Sequence, residues 1–246
     1  MTRTDKKIRH LAIIPDGNRR WAKERGIFDE VKIYQKGTEC IGNVVELVAQ
    51  QEIEFFTLWA SSLSNIRARS ASFSEAMDFF YVKYFNKLAK NKTIKRKKVR
   101  IQVVGEWKNN LSKEAVLSIE RAIDSTIDNS EKTLTLLIGY DGKRERGAAV
   151  LDLVRDVEAG LSLSPSIDSA EIELRKRSWT GSFLPDVDLL IRTGSWEDPH
   201  LSSDFLTFLI GDAQLSFPEV LWPDFSRDQL YEVLKSYNNR ERRFGK

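Results

Sequence analysis

The sequence predicts an α/β protein with an open, mostly parallel six-stranded sheet flanked by helices. Three observations carry that reading. Short apolar runs of strand length alternate with longer stretches of helical periodicity along the 246 residues. Residues 10–21 run strand, tight turn, helix, which is the opening of a β–α unit. No repeat or low-complexity linker divides the chain, so residues 1–246 are expected to form one domain, long enough for a sizeable core.

The elements follow in order. The first strand is residues 11–14, ended by Pro15; Asp16 follows, Gly17 and Asn18 allow a tight turn, and Arg19-Arg20-Trp21 opens a helix. The second strand is 55–60, and the third is 99–104, ending at Gly105. The fourth is 134–138, before Gly139-Tyr140-Asp141-Gly142; the fifth is 188–191, and a short sixth covers 215–217. Helical spacers are read over 41–51, 74–90, 113–129, 146–159 and 227–238. In the last, Ser226 is an N-cap and Leu230, Val233, Leu234 and Tyr237 follow helical spacing. In the second, Met77, Phe80, Tyr81, Tyr84 and Leu88 do the same, and most of these rings are read as core. Residues 161–169 read as a loop joining two helices, and the polar residues 61–69 fit a surface loop as well as a site.

Composition removes several function classes. Cys40 is the only cysteine and His10 and His200 the only histidines, which excludes an internal disulfide and argues against a zinc site. Residues 1–9 are charged rather than apolar, and no apolar run approaches the ~20 residues of a membrane span. A cytoplasmic location is expected. The net charge of +3 is uneven: Lys90, Lys92, Lys95, Arg96, Lys97, Lys98 and Arg100 form a run with no acid between them, and the rest of the chain is net acidic. That run reads as a solvated helix end before a strand, or as a contact for anionic lipid headgroups within residues 90–100. Nucleic acid is not expected, since no recognition motif accompanies the charge. Neither a Gly-x-Gly-x-x-Gly turn nor a Walker lysine loop is present, so a nucleotide reading has little support.

The chemistry concentrates at residues 14–21. One carboxylate, Asp16, lies at the C-terminal end of a strand, where open α/β sheets bind ligands. Backbone N–H groups at a helix start and the Arg19 and Arg20 guanidinium groups lie beside it, an arrangement suited to an anion. An acid beside such a cradle points to diphosphate chemistry assisted by a divalent metal. The competing reading of Asp16 is a helix cap.

Residues 10–21 resemble the first signature of the cis-prenyltransferases, the undecaprenyl diphosphate synthase family. Residues 187–194 resemble its second signature, Leu221-Trp222-Pro223-Asp224-Phe225 the sequel, and 239–245 its C-terminal end. The likeness therefore spans nearly the whole chain, in order. It implies a parallel sheet with flanking helices around an elongated apolar tunnel, isoprenoid diphosphates as substrates, Mg²⁺ as cofactor and a homodimer. Prenyl transfer needs the leaving diphosphate neutralised, a second double bond presented to the allylic carbon, and a proton removed.

By resemblance, Asp16 holds Mg²⁺ against diphosphate and Asn65 assists proton removal. Gly17, Asn18 and Arg20 line the allylic diphosphate pocket, with Arg19 in place of the commoner glycine and Trp21 beside them, more under the loop than in it. Ser62, with Arg69 or Arg67, matches a serine and an off-register arginine. Arg192 binds the diphosphate of isopentenyl diphosphate, with Ser203 or Ser202 in the serine role. Arg243 and Gly245 belong to an arm that reaches a neighbouring subunit. Gln214 aligns with a second Mg²⁺-associated glutamate and supplies an amide instead.

Other departures stand out. Asp29-Glu30 and Tyr34-Gln35 occupy the places of a pocket arginine and histidine, and a second arginine after Arg192 is absent, leaving His200 as the nearby cationic group. The expected activity is condensation of an allylic isoprenoid diphosphate with isopentenyl diphosphate to a short cis-prenyl diphosphate. The alternatives are head-to-middle coupling of two allylic diphosphates, or a noncatalytic partner subunit.

Overall fold

In a computed structural model the described residues are 7–67, 71–202 and 204–239. Their strands are β1 (His10–Ile14), β2 (Phe55–Ser62), β3 (Val99–Val104), β4 (Lys132–Tyr140), β5 (Leu189–Arg192) and β6 (Gln214–Ser216). They form a six-stranded sheet in the order β3-β4-β2-β1-β5-β6. Every pairing is parallel. The helices are α1 (Asn18–Glu24), α2 (Glu30–Gln50), α3 (Leu63–Arg67), α4 (Ala71–Ala89), α5 (Lys92–Arg96), α6 (Lys113–Asp124), α7 (Gly142–Glu158), α8 (Ile167–Arg177) and α9 (Arg227–Asn239).

Period-two alternation sends neighbouring strand residues to opposite faces. Leu11, Ile13, Leu58, Ile101, Leu134, Leu136 and Ile191 face one core, filled by α2 (Val44, Val48), α4 (Phe85, Leu88), α6 (Ile119) and α9 (Leu230). Ala12, Ile14, Trp59, Leu137 and Leu190 face the other, filled by Leu184, Val187, Phe205, Leu206 and Leu209. Each fully buried Leu, Ile or Phe contributes about 1.5–3 kcal/mol relative to exposure. Ser226 caps α9 as expected: its Oγ accepts from the Gln229 N–H, and the Gln229 side chain accepts from the Ser226 N–H.

Several boundaries differ from the sequence reading. Helix α2 starts at Glu30, well before residue 41. Asp29 caps it by accepting from the Val31 and Lys32 N–H groups, and Ile33, Gly37 and Cys40 continue the buried face of Val44 and Val48. Gly37 adds no apolar bulk, which hides the periodicity; a Cβ there would lie 2.6 Å from Asn18 Oδ1. Residues 63–67, expected as loop, form a helical turn because the Ser62 Oγ accepts from the Asn65 N–H. Helix α8 begins at Ile167, inside the expected loop, with Ser166 as its cap.

Candidate active site

The site is built where β1 and β5 end side by side, with Ile14 opposite Arg192. Gly17 takes φ +107°, a left-handed conformation natural to glycine, and a Cβ would lie 2.7 Å from the Leu221 side chain. The Asp16 peptide is held from two sides. The Thr193 hydroxyl accepts from the Asp16 N–H at 3.0 Å and donates to the Asp16 carbonyl at 2.8 Å, and the Trp222 N–H donates to that carbonyl at 3.0 Å.

Fixed in this way, the Asp16 carboxylate does not cap α1, whose N-cap residue is Gly17. One oxygen accepts from the Gly17 N–H at 2.6 Å and lies 3.5 Å from Arg20 Nη2. The other accepts from Arg192 Nη2 at 2.9 Å. The Arg192 side chain, only 7% exposed, also donates through Nη1 to the His200 carbonyl at 3.0 Å and to Ser202 Oγ at 2.9 Å.

These groups face a cleft of about 580 Å³, with Arg19 and Arg20 on α1, Asn65 on α3 and Ser62 at the end of β2 along its walls. Two apolar cavities adjoin it. One, about 70 Å³, lies between α2 and α4 and is lined by Ile41, Met77, Phe80, Tyr81, Tyr84 and Trp222 among others. The other, about 50 Å³, reaches Ile66, Asn110 and Leu111. The Tyr84 hydroxyl has no hydrogen-bond partner among the described residues, and burial pushes its phenol above the usual tyrosine range. A cationic, carboxylate-bearing cleft opening onto apolar cavities is suited to a ligand with a diphosphate head and a hydrocarbon tail.

The prenyltransferase family model described as undecaprenyl diphosphate synthase matches residues 14–245. The chain belongs to this family. It is a transferase of isoprenoid biosynthesis. The isoprenyl transferase of Chlamydia muridarum is 32% identical over 241 residues, covering 97% of this chain and 91% of that one. The Francisella tularensis ditrans,polycis-undecaprenyl-diphosphate synthase, (2E,6E)-farnesyl-diphosphate specific, is 32% identical over 241 residues, covering 97% and 88%. Among solved structures, lavandulyl diphosphate synthase from Lavandula x intermedia in complex with dimethylallyl diphosphate superposes with a TM-score of 0.84 at 25% identity, covering 97% of this chain and 98% of that one.

Within this prenyltransferase fold, Asp16, Gly17, Asn18, Arg19, Arg20, Ser62, Asn65 and Arg192 all line the one cleft. Two expected positions fall elsewhere. Trp21 turns away from the cleft: it is buried against Ala22, Ile33 and Leu221, its indole N–H donates to Asp224 at 2.8 Å, and Arg25 stacks on its ring. Gln214 begins β6 opposite Leu189, whereas Asp16 follows the C-terminal end of β1; parallel register puts the two toward opposite ends of the strands in one protomer. Its Oε1 is buried without a partner among the described residues.

Of the two serines expected beside Arg192, the Ser202 hydroxyl accepts from its guanidinium; Ser203, like Arg69, Arg243 and Gly245, lies outside the described residues. Arg67 pairs with Glu106 at 3.1 Å, and Arg144 pairs with the same carboxylate. His200 meets Arg192 through its carbonyl, while its ring Nδ1 lies 2.8 Å from the Asp198 carbonyl oxygen.

A Mg²⁺ ion fits these residues in one way. Among the described residues Asp16 is the one carboxylate lining the cleft, and no cluster of three or more His, Cys, Asp or Glu side chains is present among them. Mg²⁺ commonly takes one or two protein carboxylates and completes its shell with phosphate oxygens and water. Ser61 and Ser64 also line the cleft and the Thr193 hydroxyl clamps the Asp16 peptide; no short motif marks these roles, which depend on where β2 and β5 end.

Proposed function

We propose that this prenyltransferase condenses an allylic isoprenoid diphosphate with isopentenyl diphosphate, with Mg²⁺, to give a short cis-prenyl diphosphate. The observation that carries this is the placement of Asp16, Arg20 and Arg192 around one cleft that opens onto two small apolar cavities. Asp16 would hold the metal, which when bound would supply charge to offset that of the departing diphosphate. Arg19, Arg20 and the N–H groups at the start of α1 bind the allylic diphosphate, and Arg192 with Ser202 binds the second. Asn65, on the capped turn α3, holds the second substrate where its proton departs. The allylic C–O bond breaks with its electrons going to the diphosphate, the second substrate's double bond forms the new C–C bond, and loss of a proton restores an alkene.

The short product is supported by the rings that fill the space between α2 and α4. Phe80, Tyr84 and Phe85 line the larger cavity, and threading a long chain past them forces overpacking. Head-to-middle coupling of two allylic diphosphates is the second reading, favoured by the likeness to lavandulyl diphosphate synthase. Incubation with dimethylallyl or geranyl diphosphate and Mg²⁺, with and without isopentenyl diphosphate, followed by product identification, decides between them. A short linear product made only with isopentenyl diphosphate supports the first reading; a branched product from dimethylallyl diphosphate alone supports the second; a long polyprenyl product rejects both.

A homodimer belongs to the same reading. Its support is the apolar stripe on α7, where Val150, Leu151, Val154 and Val157 are exposed at helical spacing. Peripheral contact with anionic membrane is supported by residues 90–100, where Lys92, Lys95, Arg96, Lys98 and Arg100 are exposed. No helix among the described residues is long and apolar enough to cross a membrane. One domain spanning residues 1–246 and action in the cytoplasm complete the reading, supported by a single sheet running from His10 to Ser216 and a buried, unpaired Cys40.

A further inference from the structure

Asn65 reaches the cleft from α3, a single turn of 5 residues. So short a helix has little stability of its own and takes its place from what it is tied to. At its start the Ser62 Oγ accepts from the Asn65 N–H at 3.0 Å. At its end Arg67 Nη2 donates to Glu106 Oε2 at 3.1 Å. The resemblance sets Arg67 among the substrate-binding residues. In the structure its guanidinium lies on Glu106, and Arg67 does not line the cleft.

Glu106 is a fixed post. It lies just beyond β3, whereas α3 follows β2, and β4 runs between those two strands in the sheet. The ion pair therefore crosses the C-terminal end of β4. Gly139 makes room there: it takes φ +61°, and a Cβ would lie 3.4 Å from the Glu106 carbonyl carbon and 3.4 Å from Ile66 Cδ1 of α3. The Glu106 N–H donates to the Gly139 carbonyl at 3.1 Å, and the Glu106 carbonyl accepts from Asn110 Nδ2 at 2.7 Å. Its side chain is mostly buried, and the second carboxylate oxygen accepts from Arg144 Nε on α7. One carboxylate on a held backbone thus gathers guanidinium groups from two separate helices. A half-exposed ion pair adds little to stability, but a fixed partner still decides where a short turn sits.

We infer that Glu106 is a positioning residue: its carboxylate holds Arg67, and through Arg67 it keeps α3 turned so that Asn65 faces the cleft. This rests on the proposed role of Asn65 in prenyl transfer. Without the tether, α3 is held by the Ser62 cap and the packing of Ile66 alone. A displacement of about 1 Å in a group that orients substrate can cost about 10²-fold in rate. Asp16, Arg20 and Arg192 lie on the β1 and β5 side of the sheet and hold diphosphate without it.

The test is steady-state kinetics, together with calorimetry of inorganic diphosphate binding with Mg²⁺, on wild type, Arg67→Ala, Arg67→Lys, Glu106→Gln and the Arg67→Ala, Glu106→Gln double variant. The tether requires Arg67→Ala and Glu106→Gln each to lower kcat at least fivefold, with KM and diphosphate affinity within twofold of wild type. Arg67→Lys, which keeps the charge, restores kcat to within threefold. The double variant is no more than twofold worse than either single one, because both changes break one contact. In an Asn65→Ala background Arg67→Ala lowers kcat less than twofold further, a result that a general loosening of the fold does not give. Wild-type kcat in folded Arg67→Ala overturns the tether and leaves prenyl transfer standing. So does a fivefold loss of diphosphate affinity in Arg67→Ala alone, which makes Arg67 a phosphate ligand. Wild-type protein that turns over no allylic diphosphate, with or without isopentenyl diphosphate, overturns prenyl transfer and the tether with it.

Discussion

Arg192 donates to the Asp16 carboxylate at 2.9 Å and joins two segments 176 residues apart in the chain, both of which line the cleft. The pair is asymmetric. The arginine is nearly buried and also bonded to Ser202 and the His200 carbonyl, whereas the Asp16 side chain is 36% exposed and faces the cleft. Asp16 therefore neutralises a guanidinium that is otherwise costly to bury and still presents a carboxylate to a ligand. In the proposed reaction, a diphosphate bound by Arg192 would free negative charge on Asp16 to hold a metal.

Loss of that carboxylate should stop turnover without unfolding the protein. Asp16→Ala is expected to lower kcat by at least about 10²–10³-fold, the scale for removing one preorganised electrostatic group, with an unchanged far-ultraviolet circular dichroism spectrum. A folded variant with near-wild-type turnover sinks the metal role given to Asp16.

Gly194 is the second position at which backbone geometry holds the site. It takes φ +65°, and a Cβ would lie 2.8 Å from the Asp16 carbonyl oxygen and 2.7 Å from Arg20 Nη2. Gly194→Ala is expected to cost about 1–3 kcal/mol in urea unfolding and to lower kcat/KM by more than that loss alone explains, because the Asp16 loop has to move. Full kcat/KM in a destabilised Gly194→Ala protein would separate the loop from catalysis.

His10 gives the fold an acid sensitivity. Burial lowers its pKa from 6.5 to about 4, outweighing the Pro185 carbonyl and the Asp188 and Asp186 charges, which favour the cation. Its ring nitrogens lie 2.8 Å from the Pro185 carbonyl oxygen and 2.8 Å from Thr57 Oγ1. The unfolded chain binds the proton first, so this stability is complete above pH 6.5 and is lost as pH falls toward 4. Urea titrations should show about 2 kcal/mol lost through this group between pH 7 and pH 5. The pH dependence should flatten by that amount in His10→Gln. An identical slope in the variant would mean that His10 titrates normally.

The α7 stripe makes a prediction about assembly. Leu151 is 58% and Val154 47% exposed on a helix whose other side is packed. Leu151→Glu with Val154→Glu should convert a dimer to a monomer by light scattering, with unfolding of the monomer still cooperative. A double variant that keeps the wild-type mass places the interface elsewhere.

The basic turn is testable without turnover. Each cation near an anionic bilayer contributes about 1 kcal/mol, so the triple variant Lys92→Gln, Lys95→Gln, Arg96→Gln should bind phosphatidylglycerol vesicles at least tenfold more weakly in sedimentation. Wild-type binding should fall with added salt. Equal binding by the triple variant, or binding to neutral phosphatidylcholine vesicles of the same strength, removes the patch from membrane contact.

The sequence by itself determined the sheet and the first loop of the site. All six strands lie on the expected apolar runs, and Asp16, Gly17, Asn18 and Arg20 occupy the β1–α1 turn that the strand–turn–helix pattern marks out, because local signals such as Pro15, Gly17 and apolar run length act over a few residues. It also marked Arg192 as a site residue from the motif at the end of β5. Tertiary structure alone decided the partners. That Arg192 meets Asp16, that the Thr193 hydroxyl clamps the Asp16 peptide, that Trp21 packs away from the cleft and that Gln214 sits at the opposite end of the strands follow from strand register and packing. Register and bulges are fixed by how whole faces pack together, and that information is spread over the core rather than written in any short stretch of chain.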